Sequence, residues 1–410
     1  MFQIRSEAKD NGFIGVLAGF VIFDLLMLPY VQVFIMPFSL PLVFAFFLFC
    51  GDHKVEGKYF YPFLVLSLLA LVSSLSSGFI GNGEHAYENI KRASQFISSF
   101  FYFYFFYKIS LRDNGRVVSK KIITLFLFLF WLSSLAFYLD PLYTNSVLRA
   151  VYGKTITSQE VVEFHLRFAY IFVDPNTAAY FLILASAPLL LATKNRLLVV
   201  LFLLMVFSSV VFTQSRGGLL VLLACILMVA SYRFSKINPA KKVLFIISIF
   251  FLFLFFVQFF EVGESLRGGD LYSKFERSLN PESYSNDSRI KIWSEFLMSL
   301  VPYPLGRGYI LEINGLTMKP HSDALRLIYS YGLVVFIVMF YFLVRLLVKH
   351  PVYVLPAFVA FMANTLIDEQ KFFALFLCWA GILCAIGDLN AKNDKVTPAN
   401  VNFLKYSYVT

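Results

Sequence analysis

An all-α polytopic membrane protein is the fold class this sequence predicts, and three observations predict it. Hydrophobic residues make up 59% of the 410 positions and charged residues only 15%, too apolar a balance for a soluble domain. The mean hydropathy is +0.72, and 50 of the residues are Phe. The apolar residues also fall in runs near the roughly 20-residue length of one bilayer crossing, separated by polar connections.

At that length the chain predicts about twelve helices. The first six cover 12–28, 31–50, 59–79, 96–106, 122–139 and 168–191. The second six cover 197–212, 219–229, 243–260, 327–348, 352–367 and 372–386. Arg5 and Lys9 precede the first run and no small-residue cleavage site follows it, so it reads as an uncleaved start-transfer helix.

Orientation follows from the basic residues, because short Lys- and Arg-rich connections resist translocation. Lys108, Arg112, Arg116, Lys120 and Lys121 separate the fourth and fifth runs, and Lys194 and Arg196 the sixth and seventh. Arg233, Lys236, Lys241 and Lys242 follow the eighth run, and Arg345 and Lys349 close the tenth. If every helix crosses once, these connections share one side. Both termini are then cytoplasmic, and Arg216 faces the opposite, outer side. The net charge of +10 is accounted for as a topology signal, and no nucleic-acid partner is needed.

The four cysteines, Cys50, Cys225, Cys378 and Cys384, lie in or beside apolar runs without CxxC spacing, so they read as packing residues. The five histidines are scattered without HxxxH spacing or an acidic triad, and neither a metal nor a cofactor is expected. No internal repeat emerges, which argues against a transporter built from related halves. The chain reads as one integral membrane domain over 1–410, with a polar cytoplasmic tail at 388–410.

The asymmetry lies in two long outer connections, 140–167 and 261–326, since loops beyond about 15 residues tend to be functional or disordered. Within the second, Asn286-Asp287-Ser288 offers caps for a helix in which Ile290, Ile292, Trp293, Phe296, Leu297 and Leu300 leave one largely apolar face. That pattern predicts a helix lying in the membrane interface, with Arg289 at headgroup depth. A helix of this kind also touches lipid headgroups with no further role. Gly306-Arg307-Gly308-Tyr309 supplies a turn, and Pro320-His321-Ser322-Asp323 leads into the tenth helix, with Ser322 or Asp323 as its cap. His321 thus stands beside a helix N-terminus, where amides attract anions. Arg216 opens the eighth helix, where Gly217 and Gly218 would let a bulky ligand approach the backbone.

Asp174-Pro175-Asn176 falls at the start of the sixth helix, where a carboxylate is expensive unless paired. It serves either an ion pair with Arg216 or Arg167, or direct substrate contact. Tyr170 and Tyr180 line a glycan path or simply pack. Asp368-Glu369 reads as a solvated outer turn in preference to an acid/base pair. His165, near Arg167, is the alternative histidine.

The set RF-(5)-DPN over 167–176, TQSRGG at Arg216, SRIKIW at Arg289, GRG at Arg307 and PHSDALRLIYSYG at His321 resembles the O-antigen polymerase and O-antigen ligase superfamily. The likeness runs from about residue 167 to 332, while the first five helices match in hydropathy alone. It implies an inner-membrane glycosyltransferase of the GT-C type that uses undecaprenyl-diphosphate-linked glycans without a metal, at the periplasmic face. It also implies catalytic roles for Arg216, Arg289 and His321: the arginines hold the diphosphate and the histidine acts on the acceptor. Arg167, Asp174, Asn176, Gly217, Arg307 and Arg326 are the expected substrate contacts. Donor and acceptor are both lipid-linked, membrane lipid surrounds the protein, and a chain-length regulator is a partner by resemblance alone. A polymerase is expected over a ligase acting on lipid A core. A flippase of lipid-linked sugar is the alternative from another class.

Overall fold

The structure is a computed structural model that describes residues 2–28, 37–49, 57–79, 86–112, 120–151, 168–172, 174–233, 293–294, 298, 306, 308–309, 311–313, 316–318 and 321–394. Helices dominate it. They run α1 (Phe2–Met27), α2 (Leu40–Phe49), α3 (Gly57–Phe79), α4 (Ala86–Arg112), α5 (Lys120–Leu139), α6 (Pro141–Val151), α7 (Pro175–Ala192), α8 (Arg196–Phe212) and α9 (Arg216–Arg233). After a short antiparallel hairpin, β1 (Leu311–Ile313) and β2 (Leu316–Met318), come α10 (Asp323–Tyr331), α11 (Leu333–Lys349), α12 (Pro351–Ala363) and α13 (Gln370–Asp394). The expected span at 243–260 lies outside the described residues.

Four described helices are long and apolar enough to cross a membrane, and burial sorts them into two kinds. α7 and α13 have 78% of their most apolar window buried, whereas α3 and α5 have 28% and 33%. The first pair forms the interior. The second pair shows large apolar side chains outward, among them Val65, Leu68 and Val72 of α3 and Leu125, Phe128 and Leu132 of α5. Apolar surface on this scale has no place in water and fits a lipid surround. The protein is therefore a multi-pass membrane protein.

The interior is built on aromatic contacts between α3, α4, α11 and α13. Phe63 stacks on Phe100 at 4.5 Å, and Phe342 meets both Phe63 and Phe103. Phe96 lies between Tyr331 and Phe373 at 5.5 and 5.7 Å. Edge and offset geometries of this kind add to area burial. Gly381 lets α13 press on α4, because a Cβ there would strike the Phe103 carbonyl.

Buried charge fastens α1 to α13. Lys371, fully buried, donates to the Asp24 carbonyl at 2.9 Å and to the Leu28 carbonyl, and so caps the C-terminus of α1. Its amine stands 3.8 Å from Asp24 Oδ1, while Asp24 Oδ2 accepts from the Ser39 amide at 2.6 Å and Ser39 Oγ meets the Tyr102 hydroxyl at 3.0 Å. At the other end of α13, Asp388 accepts from Tyr107 at 2.7 Å and from Lys58. Asp388 is thus helical; α13 runs on to Asp394, into the stretch expected as a tail. Ala187, Val229 and Val352 pack together, so the basic connections at Lys194–Arg196 and Lys349–His350 lie at one end of the bundle.

Several expected spans change at their ends, each for a local reason. The sixth was expected from Phe168, but 168–172 is non-helical and α7 begins only at Pro175. Asp174 is its N-cap and accepts from the Asn176 amide at 2.9 Å, while Pro175 occupies the first turn, where its missing N–H costs nothing. The span expected at 327–348 is two helices, broken at Gly332, whose φ of 90° L-residues rarely adopt. The span expected at 352–367 ends at Ala363. The connection from 140 holds a helix of its own, α6.

Candidate functional site

The site is assembled from segment ends that meet at one end of the bundle. Ser322 caps α10 in extended backbone, with its hydroxyl accepting from the Leu325 amide and donating to the Met362 carbonyl at 2.8 Å. His321 precedes it, exposed, with a φ of 47°. The placement beside the helix start, and the Ser322 cap, are those the sequence predicts.

Asp323 then ties α10 to the connection between α12 and α13. Its amide donates to the Asn364 carbonyl at 3.0 Å. Its Oδ2 accepts from the amides of Leu366 at 2.5 Å, Ile367, and Asp368 at 3.3 Å. Such successive amides form a concave donor set that suits an anion. Burial pushes the Asp323 carboxyl above the ordinary carboxylate range, and Arg326 and these amides pull the other way.

Asp368 was expected on a solvated turn, and the structure corrects this: its side chain is only 15% exposed and sits between two guanidinium groups. Arg326 Nη1 reaches Oδ2 at 2.5 Å, and Arg92 Nη1 reaches Oδ1 at 3.1 Å. Tyr309 donates to Asp368 Oδ1 and accepts from Arg326 Nη1 at 2.8 Å. The Tyr309 ring has Arg92 and Arg326 over it at 4.7 and 5.0 Å. Arg92 also donates to Glu88 at 2.8 Å; burial pushes the Glu88 carboxyl up, but Lys91 and Arg92 outweigh this and hold it below its usual value. Arg326, expected as a substrate contact, is itself 93% buried and engaged in this network, which is 7% exposure.

The turn that carries Tyr309 depends on glycine. Gly306 has φ 89° and would strike the Ser330 carbonyl with any Cβ; the Gly308 amide donates to the same carbonyl at 3.3 Å. Asn89 of α4 accepts from the Tyr309 amide at 2.7 Å.

On the other flank, Thr177 Oγ1 meets Thr365 Oγ1 at 2.8 Å, which joins the start of α7 to the 364–368 connection. The Asp174 side chain accepts from the Asn176 amide and from Asn176 Nδ2, each at 2.9 Å, while Arg167, one of its two expected partners, lies outside the described residues. Arg216 is half-buried in the first turn of α9, which Ser215 opens by accepting from the Gly218 amide at 3.0 Å. The glycines after it make a helix contact: a Cβ on Gly217 would strike the Tyr180 hydroxyl, and one on Gly218 would lie 2.6 Å from Ala179 Cβ. The open backbone face expected at Gly217 and Gly218 is thus occupied on that side by α7. Tyr170 packs against Phe126 and Phe130 and is buried, so it lines no path.

Of the expected residues, the structure therefore gathers Asp174, Asn176, Arg216, Gly217, His321 and Arg326 on segments bonded or packed to one another. Arg167, Arg289 and Arg307, and His165, lie outside the described residues, as does most of the expected interfacial helix, of which Trp293, Ser294 and Met298 are helical. Arg92, Asn89 and Glu88 were missed. The signal available was an i,i+4 Glu–Arg pair just before a Phe-rich run.

An apolar helix bundle with a linked cluster of ionised and hydroxyl groups around the α10 start defines the class: a multi-pass membrane protein with a polar site. Residues 198–340 match the O-antigen ligase family, and this match supports the O-antigen polymerase and ligase superfamily, whose members are glycosyltransferase-like enzymes. No curated protein matches the chain. The matched segment holds Arg216, Arg289, Arg307, His321 and Arg326; α4 and Asp368 fall outside it.

Proposed function

We propose that the protein is a polymerase of a surface polysaccharide, joining undecaprenyl-diphosphate-linked repeat units at the periplasmic face of the inner membrane. The observation that supports this best is that the start of α9, with Arg216, packs on α7, whose own start is bonded to the connection that also holds the start of α10, beside His321. A lipid-linked donor needs such an arrangement, with its tail among apolar helices and its diphosphate at a polar end.

In this reading Arg216 and Arg289 pair with the diphosphate oxygens, as planar guanidinium groups can do in two-point fashion. The acceptor hydroxyl attacks the anomeric carbon, the bond to the diphosphate breaks, and the configuration inverts. Negative charge grows on the leaving phosphate, where the two cations stabilise it without a metal. His321 takes the hydroxyl proton as general base, a role that imidazole commonly fills. His321→Gln should slow transfer by about 10²–10⁴-fold with acceptor affinity little changed. Single-turnover kinetics would measure this, and an unaltered rate would remove the general base.

A polymerase is favoured over a ligase by the PHSDALRLIYSYG stretch and by Asn364-Thr365-Leu366-Ile367-Asp368, two stretches that are hydrogen-bonded to one another here. The test is a metal-free reaction of the purified protein with its lipid-linked repeat unit, with and without lipid A core. A ladder from the repeat unit alone is expected. Product only with core would make the protein a ligase, and no product in either case would favour a flippase. A chain-length regulator would then be sought as the polymerase's partner.

A further inference from the structure

A lysine and an aspartate inside the bundle have no part in the chemistry described so far. The side chains of Lys371 and Asp24 are fully buried and 3.8 Å apart, in a place where charge is expensive unless paired. A neutral, well-packed pair often holds two helices at least as well, because buried charges lose in hydration what they gain from each other. What a neutral apolar pair lacks is direction. The Lys371 ammonium donates to the carbonyls of Asp24, at 2.9 Å, and of Leu28, at the end of α1, whereas Asp24 Oδ1 makes no hydrogen bond within the described structure. The lysine therefore sets where the first turn of α13 stands against the end of α1.

That turn continues directly into the site. The Phe373 amide donates to the Glu369 carbonyl at 3.0 Å, so the helical bonding of α13 reaches back to the residue next to Asp368. Asp368 holds Arg92 and Arg326 on its carboxylate, and the amides of residues 366–368 converge on Asp323, two positions after His321. His321 itself has a φ of 47°, a left-handed backbone that a residue other than glycine keeps only where its surroundings over-determine it. Those surroundings are the end of α12 and the connection to α13: Ser322 is bonded to the Met362 carbonyl, and Asp323 to the Asn364 carbonyl and the three amides. Lys371 fixes the far end of that frame.

We propose that Lys371 is a positioning residue for transfer: seated on the carbonyls at the end of α1, it fixes the α12–α13 connection and, through it, the backbone of His321. The step from that backbone to the rate rests on the reading of His321 as the general base. Both α1 and Lys371 lie outside the matched segment, so the site draws on the first helix of the chain as well as on the last.

Neutral pairs test this without stranding a charge. Asp24→Asn with Lys371→Met keeps an acceptor for the Ser39 amide and removes the donor to α1; Asp24→Asn with Lys371→Gln keeps a donor, one atom shorter than lysine. Wild type and both pairs, purified in detergent, are compared by initial rates on the lipid-linked repeat unit, with lipid A core added if the wild type needs it. The Met pair should lose about 10–10²-fold in kcat, the scale of a small misplacement of a reacting group, with KM and thermal midpoint near the wild-type values. The Gln pair should fall between the two. Lys58→Met with Asp388→Asn neutralises the ion pair at the other end of α13 and is the control, with kcat unchanged. Wild-type kcat in the Met pair overturns the positioning role, as does an equal loss in the control. Should the Met pair not fold, the Gln pair decides, and wild-type kcat there has the same meaning. Amide hydrogen exchange without substrate separates this role from the polymerase reading. Faster exchange at 321–326 and 364–369 in the folded pair supports the role even if the wild type makes no product, and unchanged exchange overturns it even if the wild type makes a ladder.

Discussion

Replacing Arg216 by alanine should lower polymer formation by about 10²–10³-fold, the scale seen when one preorganised charge-stabilising donor is lost, while the protein remains folded in the membrane. The argument starts from where the guanidinium sits. It occupies the first turn of α9, at the end of a helix whose dipole favours anions and disfavours cations by about 0.3–1 kcal/mol. The helix dipole therefore lends this charge no stability at that end. The capping of α9 is done by Ser215, and the close approach to α7 is done by Gly217 and Gly218, all of which remain in the variant. Arg216→Lys should recover only part of the rate, because an ammonium is a point charge without the two-point fork. Initial rates per amount of purified protein decide the matter. A near wild-type rate in the alanine variant would remove Arg216 from the diphosphate grip.

The parts of this site that could be read from sequence are those determined by neighbours in the chain. Ser322 as cap, His321 beside a helix start and Arg216 at the head of α9 each follow from a few consecutive residues, and all three are found. The errors share one cause, which is that the partner is far away in sequence. Asp368 looked solvated because its two arginines lie 276 residues and 42 residues away in the chain, by the difference of their numbers. Gly217 and Gly218 looked open because nothing local indicates that Tyr180 and Ala179 will fill the space. Asp24 interrupts an apolar run and Lys371 stands at the head of another, and the pairing that makes such charges tolerable joins α1 to α13. The helix ends were misjudged for a different reason. Hydropathy continues smoothly through Phe168 and across Gly332, whereas the backbone responds to Pro175 and to the positive φ at Gly332.

These long-range pairs also show how a segment of family likeness depends on the rest of the chain. The matched residues 198–340 contain α10, but α10 is held by amides from 366–368 and, through Tyr309 and Asp368, by Arg92 of α4. The catalytic geometry proposed for His321 is therefore set by parts of the chain on both sides of the match.

That dependence is sharpest at Asp323. Asp323→Ala should cost about 3 kcal/mol or more, the scale for stranding buried donors and breaking a buried charge network. The alanine leaves the amides of Leu366, Ile367 and Asp368 without the carboxylate they share, in a place where Asp323 is only 2% exposed and water cannot easily replace it. Asp323→Asn should recover part of the loss, since the amide oxygen still accepts but carries no charge. Thermal unfolding of the detergent-solubilised protein would show the order wild type, Asn, Ala. His321→Gln provides the contrast: the imidazole is exposed, so its midpoint should stay at the wild-type value even as transfer slows. If Asp323→Ala instead melts with wild type, the 364–368 connection is held without the carboxylate, by the residue-323 amide, Thr177 and the ion pairs of Asp368.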